Sequence, residues 1–298
     1  KYKLDILARK LRNFRNKFLM MNYLSKECGA NDFILKHQSL RNNILVSVIS
    51  FNNPWVIKLM IDQWSKNIGD GILLVFDNSN DIPSSTEIRN ICLDKNVPYL
   101  KLPENKTTHV NRSHAQAMQY VYTNIISKLT PSIFGFVDHD CIPFNTYSIS
   151  KHVGQKNVYG VRFEGAMTRS GRAWYVWAGF IFFNYQAVQS VALNFLYDFS
   201  LDLDTAGMNY HVLYKKMTMG VEDFATNAMK GFTVSDGEAV ELQIIDDCWW
   251  HIGGIGYNGN HIKKQKLIEE VCCSIDLLSD KSSTRLEPVS FCGSEGSR

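Results

Sequence analysis

Between residues 1 and 27, apolar side chains recur at Leu4, Leu7, Leu11, Phe14, Phe18 and Met21, alternately three and four apart, with Arg9, Lys10, Arg12, Arg15 and Lys17 between them. That spacing predicts a helix with one apolar stripe. A cationic amphipathic helix can pack on its own domain, on a partner helix or on an anionic membrane surface, and periodicity alone leaves the three open. The next signal is of another kind: Ile44 to Asn52 (ILVSVISFN) is a continuous apolar run, too short for a buried helix and rich in β-branched residues. It predicts a central strand buried on both faces. Asn53 and Pro54 open a helix through Ser65, and Gly71 to Asp81 (GILLVFDNSND) gives a second buried strand ending in an acidic turn. Together they predict a βαβ unit. A helix around Thr86 to Asp94, a strand Tyr99 to Leu102, a helix from Ser113 to Leu129 and a strand Ile133 to Val137 continue the alternation. The first half is expected to be α/β with a mostly parallel sheet.

After Asp140 the pattern turns irregular and aromatic, with Tyr159 to Phe163, Trp174 to Asn184, helices near Gln186 to Phe195 and Ala206 to Lys216, and a Gly-rich stretch around Gly253 to Gly259. The organisation read from this is a basic helical segment at 1–43, one catalytic-type domain at 44–278 divided near residue 143, and a polar tail at 279–298. Composition adds exclusions. The 298 residues are 45% apolar and 20% charged, which fits a globular chain and excludes disorder, collagen and coiled coil. A formal charge of only +3 argues against nucleic acid as a partner. Seven scattered cysteines, odd in number and without a paired Cys-x-x-Cys framework, point to a reducing compartment rather than a disulfide scaffold. No apolar run approaches the roughly 20 residues of a membrane span, and no signal-peptide pattern opens the chain.

In open α/β sheets ligands bind beyond the carboxyl ends of the strands. Those ends are Phe51 and Asn52, then Asp77, Asn78, Ser79 and Asp81, then Asp138, His139 and Asp140. In FGFVDHDCIPF an apolar strand delivers two carboxylates at i and i+2, which share a face and can reach one cation. Hard oxygen ligands of this kind suit Mg²⁺ or Mn²⁺ on the phosphates of a nucleotide. His139, between them, is expected to point away.

The succession ILVSVISFN, LLVFDNSND, LPENKTTHVNRSHAQAM and FGFVDHDCIP resembles the nucleotide-binding half of GT-A fold glycosyltransferases, especially the large inverting family that builds bacterial polysaccharides. The resemblance runs from about Ile44 to Tyr257. It implies a Rossmann-like half for a nucleotide-diphosphate sugar and a C-terminal half for a glycan or lipid-linked glycan acceptor. By the resemblance Asp77 holds the nucleoside, Asp138 faces ribose and metal, and Asp140 ligates the metal. The loop after the third strand would put Asn111, Arg112 or His114 beside the base or diphosphate, although Thr107 and Thr108 stand where the family has glycine. Trp177-Ala178-Gly179-Phe180 resembles the floor of the acceptor site, with Trp174 and Tyr175 either on that platform or in the core. His251, after an apolar strand, resembles the C-terminal histidine that completes metal coordination, and His261 and Lys264 follow within reach of phosphates.

Inverting transfer needs a carboxylate to take the acceptor's proton. Asp204, read as the start of a helix, and Asp223, read as preceding another, are the candidates, and each could instead be only a helix cap. Two other functions compete: a nucleotidyltransferase, which usually carries a Gly-rich phosphate loop that FNNPW lacks, and a non-catalytic glycan-binding domain of the same fold. Acceptor patterns for N-glycosylation at Asn105 and Asn111 fall in the substrate loop, where a glycan would block the site. With the basic helix, this gives an expectation of cytoplasmic work at the inner face of a membrane.

Overall fold

The computed structural model describes residues 2–169, 171–233, 237, 239–255 and 262–270, with side chains from residue 7 onward except that of Val221. The tail at 279–298, His261 and part of the Gly-rich stretch lie outside these residues.

The continuous apolar runs form strands β1 (Ile44–Ser50), β2 (Ile72–Asp77), β3 (Tyr99–Lys101) and β4 (Ile133–Asp138). They lie in the order β3-β2-β1-β4, all parallel, with Ser50 beside Asp77 and Ile49 beside Asp138. The fold class is therefore α/β with a mostly parallel central sheet, as the alternation predicts. Two long strands, β6 (Val158–Thr168) and β7 (Gly171–Asn184), extend this sheet antiparallel from the β4 edge. A second sheet, wholly antiparallel, joins β5 (Cys141–Pro143) to β10 (Trp249–His251), β9 (Ala239–Ile245) and β8 (Asn227–Thr233).

Strand periodicity sends alternate side chains to two cores. Leu45, Leu74, Phe76, Phe134 and Phe136 pack on one side, against Phe33 of helix α2 (Ala30–Lys36) and against Met118 and Val121 of helix α5 (Val110–Val121). Val46, Val48, Leu73 and Val75 pack on the other, under α3 (Pro54–Asn67) and α4 (Ile82–Asp94), with Trp249 and Phe180. Pro54 stands in the first turn of α3, where a missing N–H costs nothing, and the Asp81 carboxylate caps α4 by accepting from Ser84 N at 2.8 Å.

Helix α1 (Tyr2–Leu24) forms as predicted, but it is turned outward. Leu7, Leu11, Phe14, Phe18 and Met21 are exposed, while Asn16, Met20 and Tyr23 are buried against the domain. Leu4 lies outside the side chains described.

Three elements differ from the sequence reading. Only Tyr185–Val188 is helical in the region expected to be helix to Phe195. The stretch after Ala206 holds a four-residue helix, Asn209–Val212, and a short 3-10 turn. Asp223 ends the 3-10 turn Val221–Asp223 and precedes strand β8 rather than a helix. Among the described cysteines, Cys28, Cys92, Cys141 and Cys248 are free thiols.

Candidate metal and nucleotide site

The carboxyl ends of β1, β2 and β4 open onto a crevice of about 400 Å³, within the size range of small-molecule sites. Phe51, Asn53, Asn78 and Asn80 line it from the strand ends, Asn105, Thr107 and Thr108 from the loop after β3, and Val110, Ser113 and His114 from the first turns of α5. Asp138, His139, Asp140 and His251 form its floor.

Strand β4 stops at Asp138 and the chain turns before β5 begins at Cys141. Antiparallel pairing of β5 with β10 sets His251 opposite Cys141, and Ile252 N donates to Asp140 O at 2.9 Å. This register brings a histidine from the far end of the sequence against the acidic pair. One ligand atom from each of Asp138, Asp140 and His251 lies within 4.8 Å of the others. Two carboxylates and an imidazole are a donor set for Mn²⁺ or Mg²⁺, the nitrogen favouring Mn²⁺, so these residues fit the ion implied by the resemblance.

The electrostatics favour the charged forms of Asp140 and His251. Burial pushes the Asp140 carboxyl upward, but the charge and hydrogen bond of His251 outweigh it and hold the pKa well below the usual carboxylate range. Burial pulls the His251 imidazole down, and the nearby Asp140 and Asp138 charges more than reverse this, leaving its pKa raised. The His251 Nε2 to Asp140 Oδ1 distance is 3.5 Å. On the other side of the ring, Nδ1 lies 2.5 Å from Gln243 Oε1 of the neighbouring strand β9. An amide oxygen can only accept, so Nδ1 carries a proton, and Nε2 is the nitrogen turned to the carboxylates and left to ligate a metal once its own proton has gone. Gln243→Leu should therefore weaken Mn²⁺ binding about 10- to 100-fold by titration calorimetry, without unfolding the chain.

Gly179 backs this floor. A Cβ there would run into the Trp177 ring and the Asp138 carboxylate, so only glycine lets β7 pass so close. Trp177 is half-buried with its ring 4.6 Å from that of His251. Trp174 and Tyr175 are buried, with Trp174 stacked on Tyr214, which makes them core residues rather than a platform.

Of the residues expected to bind donor or metal, Phe51, Asn78, His114, Asp138, Asp140 and His251 come together in the crevice. His114 sits closer to the floor than its sequence position suggests, with Nε2 3.6 Å from Asp138 Oδ1. His139 shares the floor but turns Nδ1 to the Ile49 carbonyl at 3.3 Å, and it is outside the ligand group. Asn80, Asn105 and Ser113 are lining residues that strand-end reasoning did not single out.

Four expected residues lie elsewhere. Asn52, at φ 51°, joins the ends of β1 and β2: its amide donates to Asn80 and accepts from the backbone of Asn80 and Asp81. Asp77, expected at the nucleoside, is fully buried behind the crevice wall. Its oxygens accept from Ser79 N, Ser50, Ser85, Tyr99 and Lys101. Asn111 points its amide to Asp204 at 2.7 Å. Arg112 reaches back to Asn16 of α1 at 2.9 Å and to Thr107 at 3.1 Å.

Neither candidate base lines the crevice. Asp204 is exposed in a turn, accepting from Thr205 N and Asn111, and does not begin a helix. Asp223 accepts from Gly220 N at 2.8 Å. Lys264 donates to the Ile252 and Gly253 carbonyls, close enough to Asp140 to feel its charge.

No family model matches the chain, and no curated protein sequence does. Among solved structures it is similar to the mannosyltransferase PcManGT from Pyrobaculum calidifontis in complex with GDP-Man and Mn²⁺, at 11% identity and TM-score 0.40, over 69% of this chain and 62% of that one. It is also similar to the bifunctional glycosyltransferase WbbM, at 13% identity and TM-score 0.36, over 57% of this chain and 37% of that one. A third likeness is to S. aureus TarS, at 15% identity and TM-score 0.35, over 51% of this chain and 30% of that one. The chain thus spans less than two thirds of each of these proteins.

Proposed function

We propose that the protein is a metal-dependent, inverting glycosyltransferase that moves a sugar from a nucleotide-diphosphate donor to a glycan or lipid-linked glycan. The observation that carries this reading is the placement of Asp138, Asp140 and His251, within 4.8 Å of one another, at the floor of a crevice opening from the carboxyl ends of parallel strands. Those three side chains would hold a divalent ion. When bound there, the ion supplies charge that offsets the negative charge developing on the departing diphosphate. Asn53, Asn78 and Asn80 offer amides for orienting a nucleoside, and the first turns of α5 present Ser113 and His114 on the phosphate side. Of the two acids considered as base, Asp204 is favoured. Asn111 tethers it to the same end of α5 that lines the crevice, whereas among the described residues the Asp223 carboxylate bonds within its own turn, to Gly220 N.

The test is a thermal-shift panel of UDP, GDP, CDP and TDP with and without Mn²⁺. One diphosphate should raise the midpoint only when Mn²⁺ is present, because a ligand that binds the native state stabilises it by mass action. Shifts from none of the four would reject the donor class. With the donor so identified, hydrolysis or transfer assays on Asp204→Asn and Asp223→Asn decide between the acids. The base variant should keep the shift and lose turnover by about 10²- to 10⁴-fold.

A further inference from the structure

Helix α1 docks by the wrong face for an ordinary amphipathic helix. Its contacts with the domain are largely polar. Asn13 bonds Asp198 and Phe199 N, Arg9 bonds Phe199 O and Asp202, and Asn16 receives Arg112. Met20 and Tyr23 add the buried apolar contacts, with Tyr23 OH donating to Pro103 O at 3.0 Å. The opposite face carries the stripe, with Leu7 54%, Leu11 59%, Phe14 73%, Phe18 59% and Met21 62% exposed. Five large apolar side chains in one row make a contiguous patch of the kind that marks an interaction surface.

We infer that this outward face of α1 is an interfacial docking surface for an anionic lipid bilayer. Charge selects this occupant. Between Leu7 and Leu24 the helix carries Arg9, Lys10, Arg12, Arg15 and Lys17 and no carboxylate. Helical geometry sets Lys10 and Lys17 along one border of the stripe and Arg12 and Arg15 along the other. All four are exposed, and Arg12 lies over the Phe199 ring. An apolar row bordered on both sides by cations matches the boundary between acyl chains and anionic headgroups. Among the described residues, no helix is long and apolar enough to cross a membrane, so α1 would lie in the surface plane. The inference is independent of the transferase reading. It does place the crevice loop near the lipid, because α1 and the residues just after it hold that loop through Tyr23 to Pro103 and Lys26 to Glu104, and hold the first turn of α5 through Asn16 to Arg112.

Flotation of the full chain with vesicles of phosphatidylcholine, alone or mixed with phosphatidylglycerol, tests it, with light scattering run on the same samples. The parent should float with the mixed vesicles. Phe14→Asp combined with Phe18→Asp should lower the bound fraction more than about tenfold, with an unchanged thermal midpoint since both rings face solvent. Lys10→Gln, Arg15→Gln and Lys17→Gln together should abolish the preference for anionic vesicles. A parent that does not float overturns the inference, as does a double variant that floats like the parent. If the parent stays behind as a dimer that the double variant turns into a monomer, the stripe joins two copies of the chain.

Discussion

Asp140→Ala is expected to abolish Mn²⁺-dependent stabilisation by the nucleotide and to lower turnover by at least about a hundredfold. The side chain is only 10% exposed, its pKa is held well below the usual carboxylate range, and its Oδ1 lies 3.5 Å from His251 Nε2. Removing it leaves Asp138 and His251, too few ligands to hold a divalent ion tightly without the nucleotide. It also strips His251 of the larger of the two charges that raise its pKa, leaving Asp138 alone to oppose burial, so the pKa should fall. Asp140→Asn separates the two effects, since it keeps the volume and removes only the charge. Both variants should lose metal affinity by calorimetry while circular dichroism shows a folded chain. Turnover within about threefold of the parent at saturating Mn²⁺ would mean that the acidic pair does not hold the catalytic ion.

The sequence made the frame of this site legible, and the reasons for success and failure are local. β1, β2 and β4 are buried on both faces, so ILVSVIS, ILLVFD and IFGFVD are short, mainly apolar runs rich in β-branched and aromatic residues, the mark of a central strand. Their polar ends marked the crevice. Strand β8, NAMKGFT, has almost every side chain exposed, so no buried stripe betrayed it and the acids before it read as a helix start. The helix expected after Ala206 fails because loop contacts, including Asn209 Oδ1 accepting from Asn194 N at 2.7 Å, hold the region in turns. Period 3.6 identified the apolar face of α1 but carried no information about which face the domain would take. Asn13 and Asn16, unremarkable in the sequence, make that choice. The link from Gln243 to His251 depends on the pairing of β9 with β10, which no local pattern encodes.

Asp77 is where the resemblance and the geometry part, and its replacement has the largest expected effect on stability. Oδ1 accepts from Ser79 N at 2.8 Å and Ser50 at 3.3 Å, and Oδ2 accepts from Tyr99 at 3.0 Å, Lys101 at 3.1 Å and Ser85. These donors come from β1, β3, α4 and the turn after β2, so one fully buried carboxylate ties four segments together. Asp77→Ala removes the acceptor these donors share, Ser50 and Ser79 buried and the others half-buried, with Lys101 keeping a second bond to the Ser79 carbonyl, and should cost about 3–5 kcal/mol. For a chain of this size that is a fall in midpoint of roughly 6–20 °C. The pH dependence has a definite sign. Burial raises the Asp77 pKa, but the bonds from Ser79 and Ser85 and the charge of Lys101 outweigh it and leave the pKa below its ordinary 3.8. The stability it contributes is therefore complete above that ordinary value and is lost as pH falls through the lowered one. Acid unfolding monitored below pH about 4 should show a shallower loss in Asp77→Asn than in the parent, because the variant lacks the titrating group. If instead Asp77→Asn keeps the parent's midpoint and acid limb while losing nucleotide affinity, the carboxylate faces the nucleoside as the family resemblance implies, and the crevice wall must open to let it do so.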